Sequence, residues 1–154
     1  MENIIISGKI ALYLLFYRSL IMVCKMLFFD LKDSEEQYFE KNKACNFDIK
    51  FFSKSLNRKT VKEIESQDLE QTTALNIYTH SIISEDVLQS FQNLRVIVTR
   101  SQDIKHIDVK ACLERNIAVV NVDVGKDVPD AKIVQMSLNN ATSVLCGSKE
   151  NRIV

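Results

Sequence analysis

Residues 96–122 read VIVTRSQDIKHIDVKACLERNIAVVNV, with an apolar run at each end and a polar stretch between them. The runs Val96–Thr99 and Ile117–Val122 are rich in β-branched residues and predict strands buried on both faces. Asp108 precedes Val109–Arg115, which predicts a helix capped by that aspartate. A strand, a helix and a second strand in this order indicate a right-handed crossover between parallel strands.

Similar apolar runs recur on the amino-terminal side of this segment, and the five runs begin 21 to 25 residues apart. The three further runs are Met26–Phe29, Ile49–Phe52 and Ala74–Tyr78. Helix-start signals fall between the runs. These signals are Asp33-x-x-Glu36, Thr60-x-x-Glu63 and Ser84 before two acids. A last helix is predicted from the Pro129–Asp130 region to Gly147, a residue suited to end it.

Five strands alternating with helices predict an α/β fold, the flavodoxin-like three-layer sandwich. Its five-stranded parallel sheet carries helices on both faces and is closed by the C-terminal helix. Ligands of such sheets bind beyond the carboxyl ends of the strands, so the segments that follow the strands are the candidate sites.

Those segments argue against two common chemistries. The acidic loop that begins at Asp30 would repel a flavin phosphate, and Tyr78-Thr79-His80 offers no phospho-acceptor aspartate after the third strand. Asp30 and Asp33 are interpreted as capping and solvated carboxylates. His80 is interpreted as a loop histidine with a backbone partner.

Composition excludes further classes of function. Twenty basic and twenty acidic residues give zero formal net charge, so we expect no broad electrostatic binding of nucleic acid. The three glycines, Gly8, Gly125 and Gly147, lie too far apart for a nucleotide-binding glycine fingerprint. The cysteines fit no metal or redox spacing, so we expect no metal site and interpret them as reduced core thiols of a cytoplasmic protein. They are Cys24, Cys45, Cys112 and Cys146.

Residues 1–24 are predicted to be an apolar N-terminal appendage. Lys9 and Arg18 interrupt the apolar stretch, so a membrane span is not expected. Met22 or Met26 is the natural start of the domain in this interpretation.

Seven residues of 99–122 stand at the spacing of a known family pattern, R-S-x-G-x-D-H-I-D followed by a helix and N-V-P. They are Arg100, Ser101, His106, Ile107, Asp108, Asn121 and Val122. In these residues the chain resembles the D-isomer-specific 2-hydroxyacid dehydrogenases, especially the D-lactate dehydrogenase branch. Met26–Asp33 resembles the family's first strand and the loop that follows it, and Phe47–Phe52 resembles the second strand, so the resemblance runs from Lys25 to Val122.

The rest of the family pattern is interrupted. In the family, N-V-P leads into a dinucleotide-binding domain, after which the chain returns with a closing helix. Here Asn121 and Val122 lead almost directly to a tail that resembles that closing helix in Ala131, Met136, Ser137, Leu138, Asn140, Gly147 and Val154. The resemblance implies that 25–154 is a substrate (catalytic) domain built from 25–122 plus closing helix 130–146. It also implies that the Rossmann domain is missing.

Site roles follow only from the resemblance. The family's catalytic Arg, Glu and His have no counterpart here, and Pro129 is followed by Asp130 where the family has P-H. The resemblance therefore implies no catalytic residue and no bound NAD, although the family uses NAD. It implies substrate binding by two loops whose residues are Asn76, Ile77, Tyr78, Thr79, Arg100, Ser101, Gln102 and Asp103. Asp103 replaces the glycine whose backbone approaches the substrate carboxylate in the family.

Two functions follow from the resemblance, and a third hypothesis, a membrane-associated protein that uses Ile4–Cys24 as an anchor, stays open beside them. One is the substrate domain of an NAD-dependent D-2-hydroxyacid dehydrogenase, an oxidoreductase family member that is inactive alone; whether the chain is an enzyme stays open. The alternative is a small-carboxylate binding or regulatory module that docks on a complete, full-length homologue. A 2-oxo or 2-hydroxy acid is the implied ligand in both cases.

Overall fold

A computed structural model describes residues 24–41, 47–122, 125, 127–147 and 153–154. The strands are β1 (Cys24–Phe28), β2 (Phe47–Phe51), β3 (Thr72–Ile77), β4 (Val96–Thr99) and β5 (Ala118–Asn121). The α-helices are α1 (Asp33–Lys41), α2 (Ser66–Gln71), α3 (Glu85–Gln89), α4 (Val109–Glu114) and α5 (Asp130–Leu145). A 3₁₀ helix covers Thr60–Glu63.

The five strands form one parallel sheet in the order β2-β1-β3-β4-β5. This order and the alternating elements confirm the predicted α/β sandwich. Side chains alternate along each strand, so every strand supplies both faces. Leu27, Leu75, Ile97 and Val119 pack on one face, in the core shared with α2, α3 and α4.

The opposite face of the sheet is covered by α1 and α5. Met26, Ala74, Val98 and Val120 lie in this second core, together with Val134, Leu138, Ala141 and Val144 of α5. Helix α5 contacts β4, β5 and α1, so the C-terminal helix closes the sheet as predicted. Gly147 adopts φ +93°, a left-handed value that glycine reaches without strain, and its N–H donates to Val144 O at 3.0 Å.

The strand boundaries differ from the apolar runs by one or two residues, except for Val96–Thr99, which is confirmed as β4. Strands β1, β2 and β3 begin two residues earlier than predicted, because the apolar runs start only after the polar residues Lys25, Asp48 and Thr73, which stand at the second positions of these strands. Lys25 and Asp48 are 3.5 Å apart (Nζ to Oδ2), and Lys25 Nζ lies 2.6 Å from Asp68 Oδ1. These ion pairs stabilise the charged side chains of Lys25 and Asp48 within the paired strands.

The helix-start predictions had mixed outcomes. Asp108 accepts a hydrogen bond from Ala111 N at 3.0 Å and caps α4, which confirms that prediction. The prediction of a capping box at Asp33 and Glu36 was wrong. The carboxylate that accepts from the backbone before the helix belongs to Glu35, which receives a hydrogen bond from Lys32 N at 2.9 Å. Thr60 begins a 3₁₀ helix and caps nothing; its hydroxyl donates to Ser55 O at 2.8 Å.

Ser84 stands at the N-cap of α3 as predicted but makes no capping bond. Its Oγ is buried and has no hydrogen-bond partner among the described residues. Among the cysteines, Cys112 is a core thiol as predicted, and burial raises its pKa to about 11. Cys146 is exposed, so its assignment to the core was wrong, because it lies past the end of α5.

The chain also touches the outer edge of β5 with its last residues. Ile153 N donates to Val119 O at 2.8 Å, and Val119 N donates to Val154 O at 3.3 Å. None of the helices in the described ranges combines the length and the hydropathy that a membrane span requires. The predicted appendage 1–24, apart from Cys24, and Cys45 lie outside the described residues.

Candidate functional site

The carboxyl end of β4 is organised by Arg100, whose side chain is buried. Its Nε donates to Glu35 Oε1 at 2.7 Å, and Nη2 lies 3.3 Å from Glu35 Oε2. Glu35 belongs to α1 and is 1% exposed, so the ion pair between Arg100 and Glu35 is shielded from water. Burial lowers the pKa of Arg100, and the charge and hydrogen bonds of Glu35 oppose that shift.

The remaining guanidinium donors bind β1 and β3. Nη1 donates to Asn76 Oδ1 at 2.7 Å, and Nη2 donates to Phe29 O at 2.9 Å and Asp30 O at 3.1 Å. The guanidinium carbon lies 4.1 Å from the Phe28 ring centroid. Since protein groups surround it, Arg100 joins strands and does not face an open site.

Asn76 continues this network into the closing helix. Its Nδ2 donates to Ser137 Oγ at 2.8 Å, and Ser137 Oγ donates to Val134 O at 2.7 Å. Asn76 and Ile77 are fully buried in β3. Two residues predicted for the substrate loop therefore lie inside the strand.

Asp30 joins the loops that follow β1, β2 and β3. Its Oδ1 accepts from Ser55 Oγ at 2.6 Å, and its Oδ2 accepts from Ser81 Oγ at 2.6 Å and Tyr78 N at 3.1 Å. Its backbone has φ 55°, a left-handed value that a side chain other than glycine adopts at a cost. The interpretation of Asp30 as a solvated carboxylate was wrong, because three loop donors surround it; Asp33 is exposed.

The loop after β4 remains accessible. Gln102 and Asp103 are exposed, and Ser101 Oγ donates to Asp103 O at 2.9 Å. Lys105 N donates to Asp103 Oδ1 at 2.9 Å, and this bond chiefly lowers the pKa of the Asp103 carboxyl. The side chain of Asn121, at the end of β5, reaches Gln102 O at 3.5 Å.

The neighbouring loop after β3 contains Tyr78 and Thr79. Tyr78 is half-buried, with Lys32 Nζ 4.5 Å from its ring centroid, and Thr79 is exposed. Since β3 and β4 are adjacent and parallel, the two loops lie at the same edge of the sheet. The eight predicted site residues thus divide into a buried group and an accessible group. Asn76, Ile77 and Arg100 are buried; Tyr78, Thr79, Ser101, Gln102 and Asp103 reach the surface.

His106 lies behind this edge, half-buried, with Nε2 at 3.2 Å from Thr99 Oγ1. Burial lowers the pKa of His106, and the charges of Asp103 and Asp30 oppose the shift only in part. His80 is exposed, with its ring 6.2 Å from that of Tyr78. In the described part of the chain, no group of three or more His, Cys, Asp or Glu side chains could hold a metal ion.

Sequence reasoning missed Glu35 and the structural role of Asp30. A signal was present for Asp30, because a carboxylate that directly follows a buried strand lies at the same sheet edge as the loops after the neighbouring parallel strands. No comparable signal identified Glu35, because Glu36 beside it has the same chemistry and only the packing of α1 on the sheet brings Glu35 to Arg100.

The fold, and a polar network at the carboxyl edge of its sheet, define a flavodoxin-like α/β domain. Residues 23–129 match the family model described as D-isomer specific 2-hydroxyacid dehydrogenase, catalytic domain. The chain belongs to this family. No curated protein matches the sequence.

Solved structures share the fold. The apo D-lactate dehydrogenase from Escherichia coli is 23% identical, with a TM-score of 0.56 over 66% of this chain and 32% of that chain. The Salmonella D-lactate dehydrogenase is 24% identical, with a TM-score of 0.55 over 65% and 30%. The NAD-complexed D-isomer specific 2-hydroxyacid dehydrogenase from Lactobacillus delbrueckii ssp. bulgaricus is 21% identical, with a TM-score of 0.56 over 79% and 35%. The chain therefore spans about a third of the length of these relatives.

The Arg100–Glu35 pair gives a stability prediction. Glu35→Gln leaves a buried guanidinium without its counter-charge, so the free energy of unfolding falls by about 3 kcal/mol. Denaturant unfolding followed by circular dichroism measures the change. The matched control is Glu63→Gln, which removes an exposed ion pair with Lys54 and costs less than about 1 kcal/mol. Equal losses in the two variants would contradict a dominant buried pair.

His106 gives a pH prediction. Unfolding returns the ring to its ordinary pKa of 6.5, so the unfolded chain binds a proton more readily than the folded chain. The free energy of unfolding therefore falls as the pH drops below 6.5 towards the lower folded pKa. His106→Gln reduces this loss, as measured by thermal melts in a pH series. The matched control is His80→Gln, at an exposed histidine, and a larger effect of this variant than of His106→Gln would refute the assignment.

Proposed function

We propose that this chain is the substrate-binding domain of a D-2-hydroxyacid dehydrogenase-like protein and that it transfers no hydride by itself. The observation that carries the proposal is the family match over 23–129, in a chain whose three glycines cannot form a dinucleotide fingerprint. Hydride transfer needs a held cofactor and a placed acid or base. The family's catalytic Arg, Glu and His have no counterpart in this sequence.

The residues of this chain do not fit NAD. A dinucleotide site of the fingerprint type needs clustered glycines at the start of a helix, where backbone N–H groups approach the pyrophosphate. Gly125 and Gly147 stand before and after α5, and neither is part of such a cluster. We infer that no cofactor binds this chain alone.

We infer that the cofactor domain is missing between β5 and α5. Residues 122–129 alone connect Asn121 to Asp130, at the point where the family resemblance places a whole domain. Asp123, Val124 and Lys126 of this connection lie outside the described residues. Support comes from the closing helix, which packs on β4 and β5 without an intervening domain.

The proposed ligand is a small 2-oxo or 2-hydroxy acid, held at the loops after β3 and β4. Tyr78 and Thr79 line one side and Ser101, Gln102 and Asp103 the other, at the edge where open parallel sheets bind ligands. The Asp103 carboxylate is ionised at neutral pH and stands where the resemblance places the substrate carboxylate. Like charges repel, so we expect weak binding.

The alternative function, a carboxylate-binding or regulatory module that docks on a full-length homologue, shares this ligand. This alternative requires the chain to bind the acid at the concentration at which it would act, although the chain catalyses no reaction. A cytoplasmic location is proposed on the free thiols of Cys24, Cys112 and Cys146, which suit a reducing compartment.

The absence of independent catalysis is tested with the full chain. NADH is mixed with pyruvate and a panel of longer 2-oxo acids, and its absorbance is followed. We expect no NADH consumption above the protein-free rate, with a complete D-lactate dehydrogenase as the positive control. Turnover that follows the concentration of the purified chain would refute the proposal.

The Asp103 position tests the binding site separately. Asp103→Gly removes both the charge and the side chain, so pyruvate binding measured by calorimetry tightens by about tenfold. Asp103→Asn, the matched variant, removes the charge alone and isolates the electrostatic part of the gain. Unchanged affinity in both variants would exclude this loop as the carboxylate site while leaving the catalytic test unaffected.

A further inference from the structure

The two edges of the sheet differ. The outer edge of β5 carries backbone hydrogen bonds to residues 153 and 154. Strand β2 pairs only with β1 in the described part of the chain, so its other edge is open there. An open edge strand is a template for pairing with another strand.

Backbone directions along β2 can be assigned from its last bonds. Phe52 N donates to Phe28 O at 2.8 Å, and Leu31 N donates to Phe52 O at 3.1 Å, so Phe52 faces β1. Directions alternate along a strand. The N–H and C=O groups of Phe47, Ile49 and Phe51 therefore point outward.

The sequence of β2, Phe47-Asp48-Ile49-Lys50-Phe51, reads alike in both directions once charge signs are exchanged. We propose that β2 pairs antiparallel with β2 of a second copy of this chain, about a two-fold axis at Ile49. Phe47 then faces Phe51 of the second copy, and Asp48 faces Lys50 of the second copy. Because the three outward residues face one another, about six backbone hydrogen bonds form.

The outward backbone groups permit several registers, and the charges of Asp48 and Lys50 favour the one with its axis at Ile49. An axis at Asp48 sets two aspartates opposite each other, and an axis at Lys50 sets two lysines opposite each other; like charges in directly opposed positions destabilise a pair. The axis at Ile49 instead gives two opposite-charge pairs. A two-fold axis makes the contact self-complementary and closed.

The side chains at this edge are available for the contact. The Asp48 side chain is 63% exposed, and the Lys50 side chain is 40% exposed. A lysine on an edge strand commonly discourages pairing, but Lys50 Nζ already lies 2.5 Å from Asp68 Oδ2 and 3.3 Å from Glu65 Oε1. Because these carboxylates of its own copy hold the ammonium group, Lys50 hinders an incoming strand less than an unpaired lysine would, while its charge still distinguishes Asp48 from Lys50 of the second copy.

An apolar contribution comes from Phe51, which is 40% exposed. Its ring lies 4.7 Å from the Phe39 ring and 5.7 Å from the Phe28 ring, centroid to centroid, so it stands at the rim of an aromatic cluster. Five residues per copy form a small contact, and small interfaces belong to weak, transient complexes. The dimer is therefore weak and dissociates on dilution.

The test is sedimentation velocity of the full chain over a concentration series. The unchanged chain shows a reversible monomer–dimer equilibrium. Asp48→Lys places like charges opposite each other and raises the dimer dissociation constant about tenfold or more. Glu114→Lys, the same charge change on the exposed side of α4, leaves the constant unchanged.

A mixing experiment tests the register. Lys50→Asp alone also sets like charges opposite each other, but an equimolar mixture of Asp48→Lys and Lys50→Asp restores both opposite-charge pairs and recovers the dimer. If Lys50→Asp fails to fold without its bonds to Asp68, slower amide exchange of Ile49 in the concentrated unchanged chain replaces this readout. A monomer at every concentration, or equal association of Asp48→Lys and Glu114→Lys, would overturn the proposal.

Discussion

The buried ion pair between Arg100 and Glu35 holds the carboxyl edge of the sheet together. One guanidinium binds α1 through Glu35, β1 through the carbonyls of Phe29 and Asp30, and β3 through Asn76. A charge in so dry a place is tolerated only when its donors are met with good geometry. The hydrogen bonds of the Arg100 side chain therefore fix the geometry of this edge. The loops proposed to bind a ligand lie around this side chain.

The residues that support this edge of the sheet differ from the residues that are accessible to a ligand. The family resemblance groups Arg100 with Ser101 to Asp103, yet the structure turns Arg100 inward and leaves the following residues at the surface. Asp30 has a comparable supporting role, since its carboxylate fixes the loops after β2 and β3. A rigid base beneath exposed loops is the usual way in which a scaffold places binding groups.

Much of the architecture could be predicted because it depends on local patterns. Apolar runs at regular spacing predicted five parallel strands, and Asp108 and Gly147 marked helix ends that the structure confirms. The long-range polar pairs could not be predicted in the same way. Glu35 and Arg100 are 65 positions apart, and Glu36 beside Glu35 has the same chemistry. Only the packing of α1 on the sheet decides which carboxylate turns inward.

The position of α5 has a consequence for how the chain folds during synthesis. The β4 and β5 valines of the second core, Val96, Val98 and Val120, are covered by a helix that follows them in sequence. Until residues 130–145 emerge from the ribosome, a nascent sheet would present this apolar face to solvent and to chaperones. Asn76 also meets its partner Ser137 only then. The domain is thus expected to fold late in translation as one unit. Folding would wait until helix α5 has been synthesised.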